Sequence, residues 1–298
     1  MKQKVFIGVD FGGTKILTGA VNEDGKLLCE PIKVPTVGSE EPNKIVKKIT
    51  NSIEEVLRTI NVKTFDVVGI GMGVTGPLDI KRGIILECPQ LPTMHYFPLR
   101  KKIEEYFSLP VSMNNDANCL IFGEALFGAG VGLKNIVGFT LGTGIGCAII
   151  MDKKIFNGAN DSAGEIWPSP YKNGTIEDLV CGAGIAKIYK NISGKENSSL
   201  EIFHLAEEGN LDALKTWDEF GEHLAVAISW AINLIDPELI ILGGSIANAF
   251  KFFSNSMEKS LKKWICPEPA EKTKVVCANL GANAGFIGAA ALVLMNIK

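Results

Sequence analysis

The sequence predicts an α/β fold built from two similar halves, and three observations lead there. Strand-like and helix-like segments alternate along the whole chain. A strand, a glycine turn and a second strand near the start recur 130 residues later. Gly8-Val9-Asp10-Phe11-Gly12-Gly13-Thr14 then lies over Gly138-Phe139-Thr140-Leu141-Gly142-Thr143-Gly144. Finally, 298 residues with 46% hydrophobic side chains suffice for two full cores.

Taken in order, Val5–Val9 is apolar and β-prone, a glycine turn follows, and Ile16–Val21 makes the second strand. Asn22-Glu23-Asp24-Gly25 reads as a hairpin turn into a third strand, Lys26–Cys29. Ile45, Ile49, Ile53, Val56, Leu57 and Ile60 then fall at helical spacing, with Pro42 suited to the first turn. Val67–Gly73 is a buried strand, Arg100–Phe107 an amphipathic helix and Pro110–Asn114 another strand. The second half repeats the plan with Asn135–Thr140, a glycine turn, Cys147–Met151 and Ile155-Phe156 beyond the Asp152-Lys153-Lys154 turn. Leu239–Leu242 answers the strand 67–73. A long helix, Leu211–Ile235, stops before Pro237, and Ala284–Met295 is a closing helix. No Pro/Ser-rich linker separates the halves, so they are expected to join tightly around a cleft.

Composition excludes several classes. Lys+Arg 30 against Asp+Glu 33 gives a net charge of -3 without a dense basic block, which argues against a nucleic-acid partner. The most apolar segments (136–151, 225–235, 284–295) are short or interrupted, so no membrane span is expected. Asp10 and Gly12-Gly13 break the early apolar run, unlike a signal peptide. Seven cysteines, at 29, 88, 119, 147, 181, 266 and 277, form no C-x-x-C pair and read as thiols of a cytoplasmic protein.

The turn Asp10-Phe11-Gly12-Gly13-Thr14-Lys15 suits an anionic ligand. Its glycines allow positive φ and close backbone approach, Thr14 adds a hydroxyl and Lys15 a charge. Alone it would be a plain hairpin. Its counterpart, Gly142-Thr143-Gly144-Ile145-Gly146, favours two turns holding one polyphosphate. Gly8 and Gly13 have Walker-like spacing, but Thr14-Lys15 is in the wrong order and a strand follows. Gly71–Gly76 fits G-x-G-x-x-G, yet Pro77 and a turn-like stretch follow where a helix should begin. Gly243-Gly244-Ser245-Ile246-Ala247 lacks the second glycine of a nucleophile elbow.

Asn114-Asn115-Asp116-Ala117-Asn118 follows a strand and precedes the apolar helix Cys119–Phe127. Asn115 or Asp116 reads as the N-cap, and a carboxylate at a strand end also suits accepting a hydroxyl proton in phosphoryl transfer. Ala163-Gly164-Glu165 lies in a polar loop, and Glu177 begins an apparent helix after Asn173-Gly174. Each would ordinarily be a solvated acid; together they fit recognition of paired sugar hydroxyls.

These residues resemble the ROK (repressor, open reading frame, kinase) family of sugar kinases, within the actin and hexokinase superfamily of ATPases, almost end to end. Gly8–Lys15 looks like the first phosphate motif, Leu141–Gly146 the second, and Ile241-Leu242-Gly243-Gly244 the adenosine-side motif. Asn115-Asp116-Ala117-Asn118 with Gly123-Glu124 resembles the catalytic segment and Ala163-Gly164-Glu165 the start of the sugar loop. The resemblance implies two ribonuclease-H-like, actin-like domains facing a central cleft: 1–117 with 285–298, and 118–284. It implies ATP and magnesium as cofactors and a small sugar as substrate, with domain closure excluding water. Asp116 would be the general base for a sugar hydroxyl, the primary 6-OH. Gly12, Gly13, Thr14, Lys15, Gly142, Thr143 and Gly144 would hold the phosphates, with Gly243 and Gly244 on the adenosine side. Asp10 would position magnesium through water. Gly76, Gln90, Asn115, Glu165, Trp167 and Glu177 would face the sugar. Homodimers are typical of the family.

Two departures stand out. Ile166-Trp167-Pro168 follows Glu165 where the family's loop continues to a glycine and a histidine, so Trp167 is expected in the histidine's place, as a buried anchor or a platform for a pyranose face. Tyr171–Glu177 carries no cysteine where the family has its zinc motif, so no zinc is expected and packing should hold the loop. Gln90 replaces the asparagine usual before Leu91-Pro92. Alternatives to a kinase are a sugar-responsive regulator, an assembly ATPase and a degenerate sugar-binding relative. The phosphate motif beginning at Gly8 is expected to leave no room for a regulator's DNA-binding segment, and the sugar-loop acids argue against an assembly ATPase.

Overall fold

The computed structural model describes residues 3–61 and 65–296. Among them the chain runs through β1 (Gln3–Phe11), β2 (Lys15–Val21), β3 (Ile32–Pro35), α1 (Pro42–Thr59) and β4 (Phe65–Val74). There follow β5 (Leu78–Asp79), β6 (Ile84–Ile85), α2 (Leu99–Phe107), β7 (Val111–Asn115) and α3 (Asp116–Phe127). The next strands are β8 (Ile136–Leu141), β9 (Ile145–Met151), β10 (Lys154–Ile155), β11 (Pro170–Tyr171) and β12 (Gly174–Thr175). The rest is α4 (Gly182–Ser193), α5 (Ser199–Glu207), α6 (Leu211–Ile235), β13 (Leu239–Gly243), α7 (Phe250–Leu261), β14 (Lys274–Cys277) and α8 (Ala284–Asn296). No described helix is long and apolar enough to cross a membrane.

The chain packs as two compact units. One is Met1–Gly132 with Lys154–Ala163 and Asn279–Lys298; the other is Leu133–Lys153 with Gly164–Ala278. The stretches 118–132 and 154–163, on the far side of the sequence division at 117/118, belong to the first unit. The reason is packing: α3 lies along α8, and Asn157 bonds to Asn114.

In the first unit the sheet order is β3-β2-β1-β4-β7, with β1 antiparallel to β2 and parallel to β4, and β4 parallel to β7. Val5–Val9 is wholly buried, as a central strand covered on both faces should be. On one side α1 presents Ile45, Ile49, Ile53 and Val56, a buried stripe at helical spacing opened by Pro42. Residues of α8 line the other side with Phe6, Leu17 and Val21. That helix lies directly on the strands because the sheet carries glycine beneath it: a Cβ on Gly71 would run into the Ala289 carbonyl oxygen. Glu124, 0% exposed, joins the pieces. Its Oε2 accepts from the N–H of Ala129 (2.9 Å) and Asn279 (3.0 Å), and its Oε1 from that of Leu280 (2.6 Å).

The third strand differs from the expectation. Lys26–Cys29 forms no strand: only Leu27 makes a bridge, to Val21, and Ile32–Pro35 is the segment that pairs with β2. Pro31, which has no N–H, separates the two and delays the ladder until after it.

The second unit's sheet has the order β10-β9-β8-β13-β14, the same topology position for position. Its core is built on Phe139, Trp217, Phe220 and Phe253, with the last two rings 5.3 Å apart edge to face. Its longest helix, α6, starts at Asn210, whose side chain accepts from the Ala213 N–H, and stops at Asp236 in a left-handed conformation before Pro237.

Candidate active site

In the first unit, the parallel strands β1, β4 and β7 end side by side. Asp10 pairs with Gly73 and Gly73 with Asn114; one step on, Phe11, Val74 and Asn115 form the next row. The carboxyl ends of parallel strands are where α/β sheets bind ligands. Asn115 caps α3, its Oδ1 accepting from the N–H of Ala117 (2.9 Å) and Asn118 (3.4 Å). Asp116 is therefore the first helical residue, half-buried, with Oδ1 2.8 Å from the Ala117 N–H. Behind it Asn114 Oδ1 accepts from the Asn115 N–H (2.7 Å) and Asn118 Nδ2 (2.8 Å), and Asn114 Nδ2 donates to Asn157 Oδ1 at 3.1 Å.

Asp10 and Asp116 share a neighbourhood. The buried Cys119 thiol is pushed up by desolvation and then by the charges of Asp116 and Asp10. Burial also raises the Asp10 carboxyl, opposed by Lys15, whose Nζ lies 3.4 Å away. Gly285, in the first turn of α8, sits so close that a Cβ there would be 2.9 Å from the Asp10 carboxyl carbon.

The turn between β1 and β2 is closed by Gly12 N–H to Lys15 O at 3.0 Å, leaving Thr14 exposed. Gly12 and Gly13 do not take positive φ, contrary to the sequence argument. Gly13 is required for another reason: a Cβ there would lie 2.9 Å from the Gln90 carbonyl oxygen. Gln90 is exposed and accepts from the Cys88 thiol at 3.3 Å. Gly76 adjoins Asn115, whose Nδ2 would be 3.1 Å from a Cβ at that position.

In the second unit Gly142 N–H bonds to Gly144 O at 3.0 Å, closing the counterpart turn, with Thr143 exposed. Here too Gly142 and Gly144 avoid positive φ. Gly243 ends β13, and Gly244 has φ 86°, folded against the backbone of Leu141 at the end of β8. The second glycine turn and the pair Gly243-Gly244 are thus neighbours.

Glu165 is exposed, and Trp167 Nε1 donates to its Oε2 at 2.8 Å. Desolvation raises the Glu165 carboxyl; the Trp167 bond opposes this and the Glu177 charge adds to it. Trp167, at 46% exposure, is not a buried anchor: its indole lies on the surface, tied to the neighbouring acid. Glu177 does not begin a helix either. It sits in a turn, and α4 starts five residues later, at Gly182. The intervening Cys181 Sγ accepts from the Gly184 N–H and provides the actual cap, at 3.3 Å.

One carboxylate, Asp10, just before the glycine turn Gly12–Lys15, fits magnesium, a hard cation that keeps most of its waters and shares phosphate oxygens. Among the described residues no three His, Cys, Asp or Glu side chains converge as a metal cage. The hairpin β11–β12 is held by Tyr171 Oη against His223 Nδ1 at 3.0 Å and by Thr175 N–H to Asp178 Oδ2 at 2.7 Å. Burial pushes the His223 imidazole down, so the neutral ring that can accept from Tyr171 is favoured.

A family model described as "ROK family" matches residues 6–296. The chain belongs to the ROK family. Among curated ROK relatives, a glucokinase of Halalkalibacterium halodurans is 29% identical, the match covering 98% of this chain and 96% of the relative. An N-acetyl-D-glucosamine kinase of Photobacterium profundum is also 29% identical, over 99% of this chain and all of the relative. The crystal structure of a ROK-family glucokinase from Streptomyces griseus, in complex with glucose and AMPPNP, superposes with TM-score 0.82 at 28% identity, covering 97% and 98% of the two chains. This ROK protein has the actin-like ATPase fold, each unit carrying a mixed sheet.

Three side chains packed behind Asp116 carry no role in the sequence argument. Asn114 and Asn118 stood in the asparagine run without a role assigned, and Asn157 has no local signal because its partner is 43 positions away. Glu177 was assigned to the sugar, yet its Oε2 accepts from the Ile145 N–H at 3.0 Å.

Proposed function

We propose that this protein transfers the γ-phosphoryl group of ATP to a hydroxyl of a hexose, the 6-OH of glucose or a related sugar. The observation that carries the reading is Asp116: a carboxylate on the first turn of α3, at the end of β7, in one strand-end neighbourhood with Asp10. The relatives named glucokinase and N-acetyl-D-glucosamine kinase supply the reaction class.

In this reading Asp116 accepts the hydroxyl proton as the sugar oxygen attacks the γ-phosphorus and the bond to the bridging oxygen of ADP breaks. Asn115 fixes the turn on which Asp116 stands, and it faces the sugar with Gly76 and Gln90. Glu165 receives a pair of sugar hydroxyls, oriented by Trp167. In the turns that the Gly12 and Gly142 N–H groups close, Gly13, Thr14 and Lys15, and likewise Thr143 and Gly144, hold phosphate oxygens through backbone N–H groups and side-chain donors. Gly243 and Gly244 leave room on the adenosine side. Magnesium, which Asp10 would hold through water, supplies charge neutralisation on the phosphates.

The test is ATP-dependent phosphorylation across glucose, mannose, N-acetylhexosamines, allose, fructose and β-glucosides, wild type against Asp116→Ala. Turnover of one of these by the wild type and its loss in the variant is expected. Failure of every sugar would favour a degenerate, sugar-binding relative.

A further inference from the structure

Within the second unit, the segment carrying Glu165 also grips the second phosphate turn. It begins at Gly164, whose φ of 88° folds it against the Cys147 carbonyl of β9. Cys147 is buried there, its thiol pushed up to about 12 by desolvation and then by Glu165 above it. The hairpin β11–β12 follows, and Tyr171 fastens it to α6 through His223 and an edge-to-face contact with Trp230, ring centres 6.3 Å apart. Ile176 and Val180 then enter the core, 0% exposed, and fix the turn between them.

That turn points Glu177 at the residues 142–145. Oε2 accepts from the Ile145 N–H at 3.0 Å, and it lies so close to Gly144 that a side chain there would collide with it. Five residues on, the Gly182 N–H donates to Gly142 O at 2.9 Å. The glycine turn is therefore held at both ends by one segment, Glu177 at Ile145 and Gly182 at Gly142. A flexible turn with exposed Thr143 at its tip needs such support if its N–H groups are to meet a phosphate without an ordering cost at each binding event.

We infer that Glu177 is a positioning residue for the phosphate turn, which couples the sugar-facing Glu165 to the nucleotide grip through one continuous segment. The inference rests on the kinase reading above and adds this role of Glu177 to the sugar-facing one. A direct sugar ligand and a brace for the phosphate turn make different demands. Losing a sugar ligand leaves nucleotide binding in the absence of sugar untouched. Losing the brace weakens it.

The experiment titrates MgADP calorimetrically into the wild type, Glu177→Gln and Glu177→Ala without sugar, each checked for folding by its thermal transition. Glu177→Gln keeps a carbonyl oxygen that can accept from Ile145. The expected result is a Kd for MgADP raised roughly tenfold or more in Glu177→Ala, as befits removing a charged acceptor from a backbone donor, and partly rescued in Glu177→Gln. In steady-state assays KM for ATP should rise in the same order. Wild-type affinity in folded Glu177→Ala, with only the sugar KM raised, would overturn the inference and leave the kinase intact. Should Glu177→Ala not fold, wild-type affinity in Glu177→Gln with a raised sugar KM overturns it equally. No MgADP binding by the wild type would overturn the kinase reading, and the inference with it.

Discussion

The two units share one sheet topology and use it differently. Asp10 pairs with Gly73 across β1 and β4; at the same step of the second sheet Thr140 pairs with Gly243 across β8 and β13. On the next strand the first unit continues into Asn115 and Asp116, whereas β14 ends at Cys277 and is followed by Ala278 and Asn279. Among the parallel strands, a carboxylate at the carboxyl end thus belongs to the first unit alone. The second unit brings its acids, Glu165 and Glu177, on a long segment between β10 and α4. On the proposed function, one framework carries the chemistry on rigid strand ends, and its twin carries recognition on a loop that can vary without disturbing the sheet.

The sharpest way to break this asymmetry is Asp116→Ala, with kcat expected to fall roughly 10²–10⁴-fold in a coupled ADP-release assay. An equal loss from Thr140→Val would mean that the division of labour is wrong. Next in size is Gly71→Ala. The new Cβ meets the Ala289 carbonyl of α8, and overpacking should cost about 1–3 kcal/mol in urea unfolding. The corresponding position of the second sheet is Ile241, already a large side chain, so Ile241→Val there should cost about 0.5–1.5 kcal/mol.

A smaller effect concerns pH. Burial raises Asp10 above the ordinary carboxylate value of about 3.9, with Lys15 opposing. The folded protein therefore holds this proton more tightly than the unfolded chain. The resulting stability is complete below the unfolded value and is gone once pH has risen through the folded one. MgADP binding runs the other way, weakening on acidification from a higher pH than an ordinary aspartate would give. Titrations in wild type and Asp10→Asn should differ in that pH slope, and identical slopes would remove Asp10 from the metal. The smallest expected change is Trp167→Phe, which deletes the N–H to Glu165 and should raise the sugar KM roughly two- to tenfold. A change in the KM for ATP instead would place Trp167 in the wrong group.

Much of this was legible in the sequence because its signals are local. The stripe Ile45-Ile49-Ile53-Val56 and the stop at Pro237 gave α1 and α6, and the 130-residue recurrence anticipated the common topology. What escaped depends on distant partners. Asn157 bonds to Asn114, and Glu177 reaches back 32 positions to Ile145, so neither role leaves a trace in its own neighbourhood. The first turn's glycines suggest positive φ, but what excludes a side chain at Gly13 is the approach of Gln90, and at Gly144 that of Glu177. Pro31 moved the third strand beyond the hairpin turn that had seemed to define it.

The placement of α8 bears on biosynthesis. Phe6 and Leu17 near the start of the chain are packed by Phe286 and Ile287, so the first-made sheet stays uncovered on that side until the ribosome has completed residues 284–296. The buried cluster of the second unit that holds Phe139, Trp217 and Phe253 comes from 137–270 and can close beforehand. Emergence from the exit tunnel therefore dictates an order in which the later-translated half matures before its elder neighbour.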